Sequence, residues 1–406
     1  MNQEELDQRT QQVMGGYGVE KSVANESLPP PMAQSVAHPF ESAEKAEWVF
    51  DTEANYDEYG GLQGYIYTRE NNPTLDIFED RIALLENGGG ALATSSGMAA
   101  ISLIALYSLE AGDEIVVSNH TYTCSFELFA RTLPRFGVET KVVDKPGDFS
   151  QWEEAVTEDT EFMFVETPSN PVLFVGDIGK LAGLADSYGT KLIVDNTIAT
   201  PVLQKPLDLG ADIVIESVSK FISGNGTILG GVLVGEDRLI QKIRRLEYIQ
   251  YGNAMAPFNA WLSLLGLESL DMRMEKHSDN AMKVAEFLTD HDGVQSVNYP
   301  GLESHPGHDL AQRQMDEFSS LLSFEVKGGK EEAFEFLNEL ELIPYATHEG
   351  SSRSVICHPA STIFHRLTDE ELEEAEIGKN LIRLSVGIES ANDLMKDLDR
   401  GLSSIR

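Results

Sequence analysis

Two apolar runs that end in charged residues constrain the fold of this chain more than any other feature. In the first run, residues 192–194 (Leu-Ile-Val) are followed by Asp195, and the second run, residues 213–215, leads to Lys220. Runs of this length that are bounded by polar and glycine-rich segments are typical of buried parallel strands. We therefore expect a carboxylate and an amine at the ends of two strands of one buried sheet.

An aspartate and a lysine in these places are the groups that a pyridoxal 5'-phosphate (PLP) site requires. The lysine binds the cofactor's aldehyde covalently, and the carboxylate keeps a proton on the pyridine nitrogen. Most lysines are solvated surface charges and many aspartates stabilise turns, so neither residue suffices alone. The glycine-rich stretch 224–231 that follows Lys220 indicates close approach of the backbone to another group. Together these features predict a PLP enzyme.

A turn of small residues at 94–98 is a candidate phosphate site. Thr94 ends one apolar run, and the helical pattern that follows begins near Gly97 and Met98. The free N–H groups at a helix N-terminus suit a phosphate, although an ordinary serine cap would look the same. Ser217 and Ser219, on either side of Val218, are further candidate donors to a phosphate.

Tyr122 and Arg383 each allow two interpretations. Tyr122 follows the predicted strand 114–117, where ligands bind in open α/β sheets, so it either stacks on a flat cofactor or is a half-buried aromatic. Arg383 interrupts the apolar pattern 382–386. It either faces solvent or presents a bidentate fork to a carboxylate, which would suit an amino-acid substrate.

The alternation of strand and helix patterns predicts an α/β protein with a large, doubly wound, mostly parallel sheet and a smaller C-terminal α/β domain. We expect an irregular N-terminal arm (1–60), a large domain (61–268) and a small domain (269–406). The predicted strands are Ala91–Thr94, Glu114–Val117, Phe162–Val165, Leu192–Asp195, Asp212–Ile215, Ile228–Val234, Leu321–Val326 and Ile382–Val386.

Composition excludes several classes of function. The net charge of −37 would repel nucleic acids and anionic membranes, and it indicates a solvated acidic surface. No apolar stretch is long enough to span a membrane, and the polar, acidic start does not resemble a secretory signal. The two cysteines, Cys124 and Cys357, do not form a disulfide framework. We expect a cytoplasmic protein without a metal site.

Several motifs occur together in an order that resembles the Cys/Met-metabolism family of PLP enzymes, over about residues 40–405. This family includes cystathionine γ-synthase, cystathionine lyases, methionine γ-lyase and O-acetylhomoserine sulfhydrylase. The motifs are Tyr67-Thr68-Arg69, Asn72-Pro73-Thr74, Ser96-Gly97-Met98, Glu166-Thr167-Pro168-Ser169-Asn170-Pro171, Val194-Asp195-Asn196-Thr197, Ser217-Val218-Ser219-Lys220, His358-Pro359-Ala360-Ser361 and Arg383-Leu384-Ser385-Val386-Gly387.

The resemblance implies fold-type I architecture, a tetramer of two tight dimers, and sites shared between subunits. It also implies that Lys220 and Tyr122 are catalytic and that Arg383, Asn170 and His348 bind the substrate. Tyr67 and Arg69 would reach the cofactor phosphate from the neighbouring subunit, and the first segment (1–60) would also contact that subunit. The implied cofactor-binding residues are Tyr67, Arg69, Gly97, Met98, Tyr122, Asn170, Asp195, Ser217, Ser219 and Lys220.

Local features favour one reaction within the family, γ-replacement on O-acetylhomoserine by sulfide to give homocysteine. Gly224-Asn225-Gly226-Thr227 is similar to the sulfhydrylase pattern, whereas residues 122–126 resemble methionine γ-lyase. The alternatives are γ-elimination from methionine or cystathionine, giving 2-oxobutyrate, ammonia and a thiol, and a degenerate PLP-binding interaction protein. The chain departs from the family pattern at Glu216, Asn225 and His348-Glu349-Gly350.

Overall fold

The computed structural model describes residues 3–54 and 63–405, and its strands form two sheets. The first sheet has seven strands in the order β1-β7-β6-β5-β4-β2-β3, and the second has four in the order β10-β11-β9-β8. The strands are β1 (Gly90–Thr94), β2 (Glu114–Ser118), β3 (Glu139–Val143), β4 (Thr160–Glu166), β5 (Lys191–Asp195), β6 (Ile213–Glu216), β7 (Gly231–Gly235), β8 (Val294–Asn298), β9 (Leu321–Val326), β10 (Val355–Cys357) and β11 (Leu381–Ser385).

The first sheet is mostly parallel, which brings the carboxyl ends of several strands to one edge. Strands β6, β5, β4, β2 and β3 pair in parallel, and β7 runs antiparallel to both β1 and β6. The central strands are buried along their lengths, as expected for a sheet covered on both faces. Residues that follow β2, β4, β5 and β6 therefore lie side by side.

Helices cover both sheets. They are α1 (Gln8–Met14), α2 (Val19–Ala24), α3 (Ala43–Ala54), α4 (Pro73–Leu85), α5 (Gly97–Ser108), α6 (Thr123–Glu127), α7 (Phe149–Ala155), α8 (Ile178–Tyr188), α9 (Thr200–Leu203), α10 (Asp237–Ile243), α11 (Ile249–Tyr251), α12 (Pro257–Leu267), α13 (Leu270–Thr289), α14 (His308–Gln314), α15 (Lys330–Asn338), α16 (Asp369–Glu374) and α17 (Ala391–Ser404). Short 3₁₀ turns cover Gln3–Glu5, Leu133–Phe136, Pro206–Leu209 and Pro359–Ser361, and π-helical turns cover Leu128–Thr132 and Arg244–Tyr248.

The starts of two helices follow from local sequence. Asn72 accepts a hydrogen bond from the Thr74 N–H (2.9 Å) and Pro73 occupies the first turn of α4, positions that favour these two residues. The Ser96 hydroxyl accepts from the Ala99 N–H (3.1 Å) at the start of α5. This cap places the N-terminus of α5 beside the carboxyl edge of the first sheet, because α5 directly follows β1.

The second sheet is antiparallel and packs against helices α13, α15 and α17 in a core of its own. Helix α13 also contacts the first part of the fold through Arg273. This side chain donates to the carbonyls of Phe221 (2.6 Å), Ile222 (3.2 Å) and Gly266 (2.8 Å). One helix therefore holds both the second sheet and the segment that follows Lys220.

The predicted fold class is confirmed, with three strands and the N-terminal helices missed. Strands β3, β8 and β10 are short or only partly buried, so their apolar patterns are weak. The expected irregular arm instead contains α1–α3, whose polar sequences lack a helical apolar period. Helix α1 packs on α4, and Gln12 accepts a hydrogen bond from the Asp271 N–H (3.1 Å).

Other sequence predictions about the arm and the domains stay predictions. The acidic end of the arm, residues 58–61, lies outside the described residues. The boundaries after residues 60 and 268, and the contact of the arm with a neighbouring subunit, also stay predictions. Within residues 3–54 and 63–405, no helix combines the length and hydropathy that crossing a membrane would need.

Candidate active site

A cavity of about 460 Å³ opens at the carboxyl edge of the first sheet. Ligand sites in open α/β sheets lie at this edge, and the volume is within the range of small-molecule pockets. The predicted site residues that line it are Gly97, Met98, Tyr122, Asn170, Asp195, Ser217, Ser219, Lys220 and His348. A larger cavity, about 830 Å³, lies between α4 and the N-terminal segment around Tyr17 and Lys21, and contains none of the predicted site residues.

Asp195 is the last residue of β5, and Lys220 follows the neighbouring strand β6. Asp195 Oδ1 accepts hydrogen bonds from the Thr197 N–H (3.1 Å) and the Thr197 hydroxyl (2.6 Å). Among the described residues, no hydrogen bond reaches Oδ2. Burial raises the pKa of Asp195, although Thr197 and then Lys220 oppose that shift. A buried carboxylate of this kind is stabilised by a cation, which a protonated pyridine nitrogen would supply.

The N-terminus of α5 forms a narrow cradle that lines the same cavity. A Cβ added to Gly231 would lie 2.2 Å from the Ser96 carbonyl oxygen, so β7 touches this turn directly. A Cβ added to Gly97 would lie 3.1 Å from the Ser217 Cβ. The first N–H groups of a helix lack acceptors within the helix, which makes this turn suitable for a phosphate.

The two predicted phosphate-binding serines differ. The Ser219 hydroxyl is already used, because it accepts from the Gly230 N–H (3.0 Å) and donates to the Gly230 carbonyl (3.2 Å). The Ser217 N–H donates to the Thr197 hydroxyl (2.8 Å), and the described residues offer the Ser217 hydroxyl no hydrogen-bond partner. Ser217 is therefore better placed than Ser219 to donate to a phosphate.

Tyr122 lines the cavity with 37% of its surface exposed. Its backbone N–H donates to Glu166 Oε2 (2.6 Å), at the end of the adjacent strand β4. Burial of the ring raises the pKa of the Tyr122 hydroxyl, and contact with Cys124 adds to the shift. The neutral phenol therefore persists at neutral pH, and its ring is partly exposed at the cavity.

Arg383 is fully buried, which excludes the solvent-facing interpretation. It lies in β11 of the second sheet, yet its guanidinium extends to the first sheet. Nη1 donates to Asn170 Oδ1 (3.3 Å) and to Glu349 Oε2 (2.9 Å), and Nη2 donates to the His348 carbonyl (2.9 Å). A buried fork in this position is suited to recognise a planar carboxylate.

Glu349 is the residue that the sequence interpretation missed. Its Oε1 pairs with Lys220 Nζ and its Oε2 with Arg383. Burial would raise the pKa of Glu349, but the charges of Lys220 and Arg383 outweigh it and lower the pKa. The departure from the family pattern at residues 348–350 was the available signal. It gave no indication that this side chain contacts both key cations.

Tyr67 and Arg69 lie away from the cavity in the same chain. Tyr67 is 40% exposed, and Arg69 donates to the Ile249 carbonyl. The structure therefore does not bring these two residues together with Lys220 within one chain. Their assignment to the site of a neighbouring subunit stays a prediction.

The residues present fit PLP. An unpaired buried carboxylate, a helix N-terminal cradle, a half-exposed tyrosine and a lysine surround one cavity, and each matches one part of that molecule. Asp195 would face the ring nitrogen, the turn at Gly97 and Ser217 would hold the phosphate, and Lys220 would bind the aldehyde carbon.

Comparisons with known proteins agree with this geometry. The family model for the Cys/Met metabolism PLP-dependent enzymes matches residues 9–403. An L-methionine γ-lyase from Fusobacterium nucleatum is 42% identical over 381 residues, 93% of this chain and 94% of that protein. An O-succinylhomoserine sulfhydrylase from Pseudomonas aeruginosa is 41% identical over 349 residues, 85% of each chain.

A solved structure extends the likeness to three dimensions. The putative O-acetylhomoserine (thiol)-lyase from Campylobacter jejuni superposes with a TM-score of 0.89 at 34% identity, covering 98% of this chain and all of that one. That structure carries a pyridoxyl group covalently attached to a lysine. The family match over nearly the whole chain and these relatives lead to one conclusion: the chain belongs to the Cys/Met metabolism family of PLP-dependent enzymes.

Proposed function

We propose that this enzyme catalyses γ-replacement on O-acetylhomoserine, in which sulfide displaces acetate and homocysteine is formed. The broader reaction class, replacement or elimination in trans-sulfuration, is the class of its relatives. The finer assignment rests on the charges at the cavity. It is supported by the sulfhydrylase-like segment 224–227.

The observation that carries the proposal is the scarcity of cations in the cavity. Among the described lining residues, Lys220 is the only lysine or arginine, and Arg383 reaches the cavity edge from behind Glu349. Burial, and then the charge of Lys220, lower the pKa of His348, so its imidazole is neutral at pH 7. Once Lys220 binds the cofactor and Arg383 binds the α-carboxylate, an uncharged acetyl group fits better than a succinyl or phosphoryl group.

Each site residue then has a role. Arg383 and Asn170 position the α-carboxylate. The ring of Tyr122 packs over the cofactor, and its hydroxyl stays neutral. The Lys220 amine takes the proton from Cα and returns protons later in the reaction. PLP, when bound, supplies the electron-withdrawing ring that stabilises negative charge at Cα. The overall reaction forms one carbon–sulfur bond and breaks the carbon–oxygen bond to acetate.

A second candidate is γ-elimination from methionine. It is favoured by residues 122–126, which are similar to the corresponding segment of methionine γ-lyase, and by the identity to the Fusobacterium enzyme. In that reaction no thiol adds to the γ-carbon, and the products are 2-oxobutyrate, ammonia and methanethiol. The same residues would serve both reactions, because only the fate of the γ-carbon differs.

Product analysis with the PLP-loaded enzyme distinguishes these reactions. The enzyme is incubated with O-acetylhomoserine with and without sulfide, with O-succinylhomoserine and sulfide, and with methionine alone. Homocysteine from O-acetylhomoserine only when sulfide is present would support the proposal. A preference for O-succinylhomoserine would overturn the acetyl assignment, and 2-oxobutyrate from methionine as the main product would make the enzyme a γ-lyase.

A further inference from the structure

Glu349 contacts the guanidinium to which the proposed function assigns the substrate carboxylate. Among the described residues it is the only carboxylate that contacts Arg383, at 2.9 Å from Nη1. The other partners of that guanidinium are neutral, the amide oxygen of Asn170 and the backbone carbonyl of His348. A substrate carboxylate that approaches the fork therefore meets an ion pair that is already formed.

The backbone around Glu349 is fixed, so only its side chain is free to change position. The Gly350 N–H donates to Ser385 Oγ (3.1 Å) in β11. Gly350 has a positive φ of 77°, and a Cβ added there would lie 2.6 Å from the Phe221 nitrogen. This turn is held between β11 and the residue after Lys220. A rotation about the side-chain bonds of Glu349 would release both Arg383 and Lys220.

We propose that Glu349 is an internal carboxylate that occupies the binding position of the substrate carboxylate on Arg383, so that an amino-acid substrate binds only by displacing it. The inference rests on the amino-acid substrate class of the proposed function. Two carboxylates on one buried guanidinium repel each other, so the substrate and Glu349 exclude each other. Glu349 thereby weakens the binding of every carboxylate at Arg383. The rest of the substrate must then supply more of the binding free energy.

The test is calorimetric binding of propionate to the PLP-loaded enzyme, which requires no turnover. Glu349→Gln keeps the size of the side chain but removes its charge. We expect the variant to bind propionate at least about tenfold more tightly than the unmodified enzyme. Binding of propionamide, which has the same shape without the charge, is expected to stay within about twofold, because its amide does not compete for the ion pair.

Glu166→Gln is the matched control variant. Glu166 is a second buried carboxylate that lines the same cavity, but its oxygens accept from the Tyr122 and Asn170 N–H groups and not from Arg383. We expect its effect on propionate affinity to stay below about threefold. Equal tightening in both variants would overturn the proposal, since it would show an effect that does not depend on contact with Arg383. Unchanged or weaker propionate binding in Glu349→Gln would overturn it as well.

Two further measurements complete the test. The visible absorption band of the cofactor shows whether each variant still holds PLP, and Glu349→Leu replaces the glutamine variant if that one does not. With substrate, Glu349→Gln should lower KM, because the substrate carboxylate no longer displaces a charged group from Arg383. A large loss of kcat at unchanged KM would overturn the proposal, because it would place Glu349 in the chemistry. If no homocysteine forms but propionate still binds more tightly, only the proposed function fails.

Discussion

The two ends of the cavity are built in different ways. The cofactor end (residues 96–98, Asp195 and Lys220, with Ser217) is assembled from ends of strands in one sheet and the N-terminus of α5. The substrate end (Asn170, residues 348–349 and Arg383) needs both sheets, because Arg383 lies in β11 and Asn170 follows β4. The first end depends on local chain geometry, whereas the second depends on how the sheets pack.

The electrostatic difference between the ends is equally clear. At the cofactor end, Asp195 is buried and no cation forms a hydrogen bond to it among the described residues, so this end is complete only with a cationic ligand. At the substrate end, Glu349 already neutralises Arg383. The cofactor end therefore favours binding of a cationic group, while the ion pair at the substrate end opposes binding of a carboxylate. Four experiments test this contrast, from the largest expected effect to the smallest.

Lys220→Ala should have the largest effect, a loss of activity of about 10³-fold or more, because the amine that moves protons is removed. Turnover and the visible absorption of the cofactor are measured together. Lys220→Arg is the control, since it keeps a positive charge beside Glu349 but cannot bind the aldehyde. Activity retained by either variant would contradict the role of Lys220 at the cofactor end.

Asp195→Asn should lower kcat by about 10²-fold, because an amide cannot stabilise a proton on the ring nitrogen through an ion pair. Steady-state kinetics should show little change in KM, since Asp195 does not touch the substrate end. The surface variant Asp208→Asn serves as the control. An effect on KM alone would contradict this separation, because it would show that Asp195 acts in substrate binding.

Mixed subunits test whether the cofactor end is completed by a neighbour. Arg69→Ala and Lys220→Ala are each expected to be nearly inactive. Subunits unfolded and refolded together should recover about a quarter of the normal activity, because half of the dimers are mixed and each has one intact site. Activity of the mixture is compared with that of each variant refolded alone. No recovery would contradict sites that are shared between subunits.

His277 is expected to have the smallest effect on turnover, because its contribution is to the pH dependence of stability. It lies on α13, where its Nδ1 binds the Val386 carbonyl (2.7 Å) and its ring contacts Phe221 edge-on. Burial lowers its pKa to about 4. Below about pH 6.5 this histidine therefore binds a proton in the unfolded chain but stays neutral in the folded protein. The free energy of unfolding consequently decreases from about pH 6.5 down to about pH 4.

Urea unfolding of the PLP-loaded enzyme measures this contribution. Between pH 7 and pH 5 the neutral His277 should lower the free energy of unfolding by about 2 kcal/mol. A replacement by Glu or Lys would add a charge of its own and obscure this effect. His277→Gln should therefore show a shallower pH dependence than the unmodified enzyme, whatever its stability at pH 7. The exposed His365→Gln is the control. An unchanged slope in His277→Gln would show that this histidine does not link the two sheets through its neutral form.

The sequence predicts the cofactor end well and the substrate end only in part. Strands β5 and β6 are continuous apolar runs, so the positions of Asp195 and Lys220 follow directly from them. Arg383 carries the same kind of signal, a charge within an apolar strand, but its orientation depends on packing between the sheets. The contact of Glu349 with Lys220 joins residues 129 apart in sequence, which no local pattern indicates.

Arg273 gives the two ends a mechanical relationship. By holding the carbonyls of Phe221 and Ile222 from α13, it ties the chain just after Lys220 to the helix that packs on the second sheet. A tilt of the second sheet would carry Arg383 and, through this clamp, would pull on the segment beside Lys220. The distance between the Lys220 amine and the Arg383 guanidinium therefore depends on a direct connection between the two sheets.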